Sequence, residues 1–240
     1  MHMKKILPVL ACALISSPAL ALNIVYTYND SSDFFTDERR DALDRAASVY
    51  ESYITNDLNV FVSLGSSTDT HALAWGGTSI YADFHTDWTG TITFSEGWDW
   101  YSGTDGSFGG FDLFSTALHE LGHVLGVGIV NTWTNKVSGG YFNGTNAMGI
   151  YGGPVPVDAA GEHWLAGTGS TLPGTLTWQT ASYDPYSFNG QRRYLTDLDL
   201  AGLQDIGWGV STIPEPETLY MLLSGLAIVG LRARRHRRAV

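Results

Sequence analysis

Cysteine is nearly absent from this 240-residue sequence, in which Cys12 is the single example. It lies in an amino-terminal stretch where two lysines precede an apolar run at residues 6–15, followed by a small-x-small cleavage sequence at residues 19–21. This order is typical of a secretory signal peptide, which we predict to span residues 1–21. An exported chain without cysteine cannot rely on disulfides, so core packing or bound metal must stabilise its fold.

Positive charge is also scarce, with 13 Lys and Arg against 24 Asp and Glu. Two of the basic residues lie in the signal peptide and five lie in residues 232–238, while Glu215 and Glu217 lie near the carboxyl end. The remaining body, residues 22–212, therefore has a net charge of about −16. This balance argues against nucleic acid as a partner. A body of about 190 residues suffices for one domain with a real core.

Apolar runs long enough to cross a membrane as a regular helix are absent as well. The carboxyl end nevertheless places an apolar run, residues 219–231, directly before five arginines, and such a cluster stays cytoplasmic under the positive-inside rule. We therefore predict a short transmembrane stop at the end of the chain. Membrane contact is expected only through the two terminal segments.

The same carboxyl segment has a recognisable order: Pro214-Glu215-Pro216, then apolar residues, then arginines. This order resembles the PEP-CTERM sorting tail of Gram-negative bacteria. The resemblance implies that residues 213–240 are a sorting tail handled by exosortase-type machinery. It also implies an exported protein that is extracellular or at the cell surface, with the tail anchoring it transiently or being removed.

The first half of the body predicts one helix and several strands. Residues 36–54 form an amphipathic pattern with Thr36 as the N-cap and one apolar stripe. Short β-branched and aromatic runs follow, and we predict that they are strands of one sheet, at residues 58–64, 78–84 and 89–94.

The second half has a weaker pattern. Residues 128–194 are rich in Gly, Thr and Pro and predict a mostly irregular segment, which in a compact domain is usually functional. A helix is predicted after this segment, where Thr196 is the N-cap and Asp199 occupies the reciprocal position of a capping box.

The most informative stretch is TALHELGHVLGVG, residues 116–128. Asp112 is the predicted N-cap of its helix, in which His119 and His123 fall about 40° apart around the axis. Two imidazoles can then reach one ion while Glu120 lies to the side. The spacing suits Zn²⁺, which binds histidine nitrogen and keeps an open position for water in catalytic sites. There the metal acidifies the water, and the glutamate takes its proton and delivers it to the leaving amine.

The motif HExxHxxG at residues 119–126 resembles the metzincin clan of zinc endopeptidases. The fuller metzincin pattern has a histidine three residues after the glycine and a methionine turn further on. This sequence departs from it, with Ile129 at the first position and Ala181 where the methionine is expected. The resemblance implies a zincin-like α+β domain over residues 22–212, with a small mixed sheet, an active-site helix and a carboxyl-terminal helix.

The third zinc ligand must come from elsewhere, and after His123 the body contains one more histidine, His163. The His163-Trp164 pair after a YGG-VP segment resembles the distant ligand of leishmanolysin-type metzincins and of metzincin-like proteases with PEP-CTERM tails. We therefore predict a three-histidine site, with the tryptophan holding the loop. The carboxylates that stay open as alternative ligands are Asp158, Glu162 and Asp184.

Other residues suggest secondary features. A second zinc ion would be bound by two histidines and nearby aspartates, namely His71, His85, Asp69, Asp83 and Asp87. The Asp-rich loop at residues 96–110 suggests a Ca²⁺ site, but the spacing of its carboxylates does not match a known calcium motif. Residues 68–84 are expected to form the cleft edge of the sheet, where an extended peptide can add as a strand. Two tyrosines, Tyr183 and Tyr186, follow the altered methionine turn. Each either donates a hydrogen bond to the oxyanion of the tetrahedral intermediate or packs in the core.

The predicted function is an exported zinc-dependent endopeptidase that hydrolyses protein or peptide substrates, with Glu120 as general base. Two alternatives stay open: a zinc hydrolase with a carboxylate third ligand, and a catalytically inactive surface or matrix-binding domain of the same fold. The missing methionine motivates the inactive reading. The intact Glu120 argues against it, because an inactive scaffold has no use for a base that does not bind the metal.

Overall fold

The computed structural model of the protein describes residues 22–29, 32–79 and 86–211. The predicted signal peptide and sorting tail lie outside these residues. The described helices are α1 (Asp37–Tyr53), α2 (Leu113–Val124), α3 (Asn131–Thr134), α4 (Thr145–Tyr151) and α5 (Asp197–Ile206). The described strands are β1 (Asn23–Asn29), β2 (Asn59–Ser67), β3 (Ala74–Thr78), β4 (Trp88–Ser95), β5 (Trp100–Tyr101), β6 (Phe111–Asp112), β7 (Val137–Ser138), β8 (Tyr141–Phe142), β9 (Val155–Pro156), β10 (Gly169–Thr171) and β11 (Trp178–Thr180). Within the described ranges, no helix combines the length and apolar character needed to span a bilayer.

A four-stranded mixed sheet has the strand order β1-β2-β4-β3. The first three are parallel, with Ile24 opposite Val60 and Val60 opposite Trp88. Parallel neighbours need a crossover, and α1 supplies it between β1 and β2. Strand β3 is antiparallel to β4 and ends the sheet. The predicted α+β class with a small mixed sheet is confirmed.

The position of β3 differs from the sequence prediction. The run at residues 78–84 was expected to be a strand, but β3 begins at Ala74 and ends at Thr78, and residues 80–85 lie outside the described part. The strand contains Gly76 and Gly77, which lower the β propensity of this segment and hide it from a propensity argument. The prediction that residues 68–84 contain the cleft edge of the sheet is confirmed for β3.

Helix α1 forms as predicted. The Thr36 side chain accepts a hydrogen bond from the Arg39 N–H, which satisfies one of the free amides of the first turn. The apolar stripe is buried, and Tyr50 from this stripe donates to the Leu118 carbonyl of α2 over 2.6 Å. The helix therefore packs directly against the helix that carries the HExxH motif.

Helix α2 is the centre of the core. Asp112 caps it by accepting from the Ser115 N–H, as predicted, and all its residues except His119 are buried. The chain leaves α2 through Gly126, whose φ of +100° lies in the left-handed region that glycine tolerates best. This turn carries the Val127 carbonyl back to His123.

Residues 128–194 contain more structure than the irregular segment that was predicted. Two short helices and several strand pairs are present, and three large aromatic side chains form their core, Trp133, Phe142 and Trp164. Helix α4 has no side-chain cap within its own segment. Instead, Asp205 of α5 accepts from two of its first-turn amides. Elements this short, capped from a distant helix, leave no periodic signal in the local sequence.

Candidate metal centre

Three histidine side chains converge at the carboxyl-terminal half of α2. The Nε2 atom of His123 lies 3.1 Å from Nε2 of His119 and 3.1 Å from Nε2 of His163. Across residues 22–29, 32–79 and 86–211, this is the only group of three or more metal-ligating side chains placed to hold one ion. The structure thus brings together the three histidines that the sequence analysis selected, although 40 residues separate His123 from His163.

The other ring nitrogen of each histidine has its own acceptor. His119 Nδ1 lies 2.8 Å from the Ser182 carbonyl, and His123 Nδ1 lies 2.9 Å from the Val127 carbonyl. His163 Nδ1 lies 2.8 Å from a carboxylate oxygen of Asp158. Carbonyl and carboxylate oxygens only accept, so each Nδ1 must carry the ring proton and donate it. In the neutral form of each ring, Nε2 is then the nitrogen whose lone pair can bind a metal ion.

Lone pairs 3.1 Å apart repel each other unless a cation lies between them. In a tetrahedral zinc site with Zn–N bonds of about 2.0–2.1 Å, ligand nitrogens are separated by about 3.3 Å. This is close to the 3.1 Å that separates Nε2 of His123 from Nε2 of each of the other two histidines. Burial, reinforced by the neighbouring histidines, holds the pKa of His119 well below its usual value. Burial likewise lowers the pKa of His123 to about 4. Both rings are thus neutral near pH 7, and the donor set fits zinc.

His163 comes from a loop but is held on two sides. Asp158 accepts from the ring and from the Glu162 N–H, and its own N–H donates to the His163 carbonyl. Burial acts to raise the pKa of Asp158, but these hydrogen bonds lower it overall, so the carboxylate is ionised and orients the ring. On the other side, the fully buried Trp164 donates from its indole N–H to Asp199.

The three carboxylates that were alternative third ligands lie in other arrangements. Asp158 is the hydrogen-bond partner of His163. Glu162 has an exposed side chain at the rim of the cleft. Asp184 is buried and accepts from the Gly167 and Tyr186 amides. None of the three belongs to the histidine cluster.

Asp199 connects three segments around the histidine cluster by hydrogen bonds. Its buried carboxylate accepts from the Ser182 N–H over 2.8 Å and from the Trp164 indole over 3.1 Å, besides capping its own helix through Thr196. It therefore fixes both the carbonyl that orients His119 and the residue next to His163. The sequence around Asp199 predicts only a helix cap, because its two long-range donors have no local signature.

Glu120 lies beside the histidines, almost completely buried, with 6 % of its surface exposed. Burial raises the pKa of its carboxyl to about 8, against a smaller lowering by a hydrogen bond from the Gly76 N–H. Its carboxylate lines an open cleft of about 640 Å³ that also exposes all three histidines. Strand β3 and the residues before it form one side of the cleft, and residues 162–163 and 184–187 form the other.

Two tyrosines were considered for oxyanion binding. The Tyr183 hydroxyl is buried 3.1 Å from the Tyr50 hydroxyl, so this side chain belongs to the core, as the packing alternative predicted. Tyr186 is largely exposed and lines the cleft.

The structure gives little support to the predicted second zinc site and calcium site. His71 is exposed and hydrogen-bonds Asp69, whereas His85 and Asp83 lie outside the described residues. In the described residues of the loop at 96–110, no side chains group around a calcium position.

A family model matches the carboxyl end of the chain. Residues 212–238 match the PEP-CTERM protein-sorting motif. No match to a curated protein is found. The carboxyl end is therefore a PEP-CTERM tail, as the sequence indicated, and it marks an exported protein that exosortase-type machinery sorts to the cell envelope.

Proposed function

We propose that the protein is an exported zinc-dependent endopeptidase with a zincin-like domain that resembles the metzincins. His119, His123 and His163 hold the zinc ion, and Glu120 is the general base. The observation that carries this proposal is the convergence of three imidazole Nε2 atoms beside a buried glutamate, all lining one cleft. A purely structural metal site would have no need for a neighbouring carboxyl group that lines the same cleft.

A bound zinc ion supplies polarisation of the scissile carbonyl and lowers the pKa of water in the site. Glu120 accepts a proton as water attacks the carbonyl carbon, and it returns that proton to the amine nitrogen as the C–N bond breaks. A base must exchange protons near neutral pH. Burial places the pKa of Glu120 at about 8, and a nearby cation brings it lower.

The edge of β3 offers a binding surface for the substrate. The Leu73 carbonyl accepts from the Ser95 N–H and the Ser79 N–H donates to the Thr89 carbonyl, so the odd-numbered residues of this segment hydrogen-bond to β4. In an antiparallel pair, the residues between them direct their amides and carbonyls to the other side. The groups of Ala74 and Gly76 therefore point to the cleft, where an extended peptide adds as a further strand.

The test is a comparison of the purified protein with its Glu120→Gln variant. We expect about one zinc per chain in both, and cleavage of casein or a peptide library by the unmodified protein alone, with activity reduced at least about 100-fold in the variant. Cleavage that survives the substitution would refute the assigned mechanism. Zinc without any cleavage would favour the inactive surface or matrix-binding alternative.

A further inference from the structure

The edge strand β3 contacts the proposed base as well as the cleft. We infer that Gly76 is a positioning residue for Glu120: its backbone N–H holds the carboxylate, and its lack of a side chain lets the strand lie against the glutamate. The inference rests on the proposed function, because it assigns Gly76 a role in the reaction that Glu120 performs.

The space at position 76 is taken up by Glu120. A Cβ atom built on Gly76 would lie 2.9 Å from the Glu120 backbone oxygen, 3.0 Å from Oε2 and 3.1 Å from Cβ. Such separations are too short for ordinary contact between atoms, and the backbone oxygen belongs to α2, which is packed into the core. Any side chain at this position must therefore displace either the edge strand or the carboxylate.

The adjacent glycine is different, although it belongs to the same strand. A Cβ atom on Gly77 would contact only the Ile129 side chain within 4 Å, at an ordinary distance of 3.5 Å. Its backbone also faces β4 instead of the cleft, because the hydrogen-bonded pairs alternate along β3. The requirement for glycine is thus confined to the residue that touches Glu120.

The two polar backbone groups of Gly76 have different partners. Its N–H points to the free edge of the sheet and is used by the Glu120 carboxylate. Its carbonyl points to the same edge and is available to a peptide that adds as a strand. One residue therefore connects the bound peptide and the base, and fixes the distance between them. The remaining acceptor capacity of the carboxylate is left for the water in the cleft.

Gly76→Ala and Gly77→Ala, compared in the zinc-loaded full-length protein, test the inference. We expect Gly76→Ala to lower kcat at least tenfold, with KM changed less than threefold and one zinc retained. Gly77→Ala should change kcat less than twofold. Equal kcat values in the two variants, or loss of zinc from Gly76→Ala, would overturn the inference.

A second comparison separates positioning from general damage to the fold. In the Glu120→Gln background, Gly76→Ala should leave the residual rate unchanged, because a residue that acts through Glu120 has nothing left to position. A further drop of the same size as in the unmodified background would contradict the inference. Where Gly76→Ala does not fold, replacement of Gly76 by glycolic acid removes the N–H without adding a side chain, and the same loss of kcat is expected.

Failure of this inference is distinguishable from failure of the proposed function. Absence of cleavage by the zinc-loaded, unmodified protein would remove both. Cleavage by the unmodified protein that Gly76→Ala leaves intact would remove only the role of Gly76.

Discussion

The two halves of the domain supply zinc ligands by different physical means. Up to the end of α2, the described residues contain the four-stranded sheet and the two longest of the described helices, and helix pitch alone brings His119 and His123 onto one face. Beyond α2, the elements are short, and His163 is held by the Asp158 carboxylate, which accepts from its ring, and by the buried neighbour Trp164. The comparison teaches that a loop can position a ligand as closely as a helix when its backbone is anchored by buried polar groups.

The largest effect is expected from removing the loop ligand itself. His163→Ala should weaken zinc binding more than 100-fold, beyond the roughly 10- to 100-fold that loss of an outer hydrogen-bond partner costs, and as much as His123→Ala does. Chelator competition measures the affinity. Glu162→Ala is the matched control, since its exposed side chain adjoins His163, and it should retain zinc. Zinc loss in the control with retention in His163→Ala would reassign the third ligand to the carboxylate.

Removing the anchor of the second half should act mainly on stability. In Asp199→Asn, one acceptor oxygen is replaced by a donor group that faces the N–H donors of Ser182 and Thr196. We expect a loss of about 2–4 kcal/mol in the free energy of unfolding, measured by urea denaturation. Asp197→Asn, in the same helical turn and bonded to the Thr171 hydroxyl, should cost less than about 1 kcal/mol. Similar losses in the two variants would show that Asp199 has no special role.

A smaller effect should follow from releasing the ring of His163 without removing it. Asp158→Ala leaves the imidazole in place but deletes the carboxylate that orients it. Zinc affinity should fall about 10- to 100-fold, which is the range found for outer partners of metal ligands. The measurement is again chelator competition, with Glu162→Gln as a charge-matched control. Unchanged affinity would mean that the loop backbone alone orients the ring.

The contact between Tyr50 in the first half and Tyr183 in the second predicts that the free energy of unfolding depends on pH. Tyr50 and Tyr183 meet through their hydroxyls, and burial raises the pKa of both well above the ordinary value of 10.0. The unfolded chain therefore loses these protons first, so the contribution is complete below pH 10 and is lost as the pH rises above it. The slope reaches up to about 1.4 kcal/mol per pH unit for each phenol.

Thermal or urea unfolding between pH 9 and pH 11 measures this dependence. Tyr183→Phe should flatten it, whereas Tyr151→Phe, which removes an exposed phenol, should not. If Tyr183→Phe leaves the dependence of stability on pH unchanged, the contact between Tyr50 and Tyr183 does not exclude water from their hydroxyls.

The difference between the halves also explains how far the sequence could be interpreted. Helices α1, α2 and α5 were predicted with their caps, because Thr36, Asp112 and Thr196 act on amides within three residues of themselves. The histidine cluster was predicted from the helical spacing of two rings and, for His163, from the resemblance of its segment to the distant ligand of leishmanolysin-type metzincins. The caps and the His119–His123 pair each depend on a short stretch of chain.

The parts that were missed depend on partners distant in sequence. Helix α4 is capped by Asp205, and Asp199 receives hydrogen bonds from two segments that precede its helix. The importance of Gly76 comes from a helix that begins more than thirty residues later. No local pattern contains these relations, so they became visible only when the chain was folded.

The Asp158–His163 segment contains both a metal-ligating ring and the carboxylate that orients it. Asp158, the Glu162 amide and His163 complete their hydrogen bonds within six consecutive residues, and Val157 and Trp164 bridge the two ends of the segment. The His163 ring and the Asp158 carboxylate that orients it thus lie within one short segment. The orientation of the ring is therefore encoded within six residues, whereas the position of the whole segment depends on the rest of the domain, to which the Trp133 indole attaches it by donating to the Gly161 carbonyl.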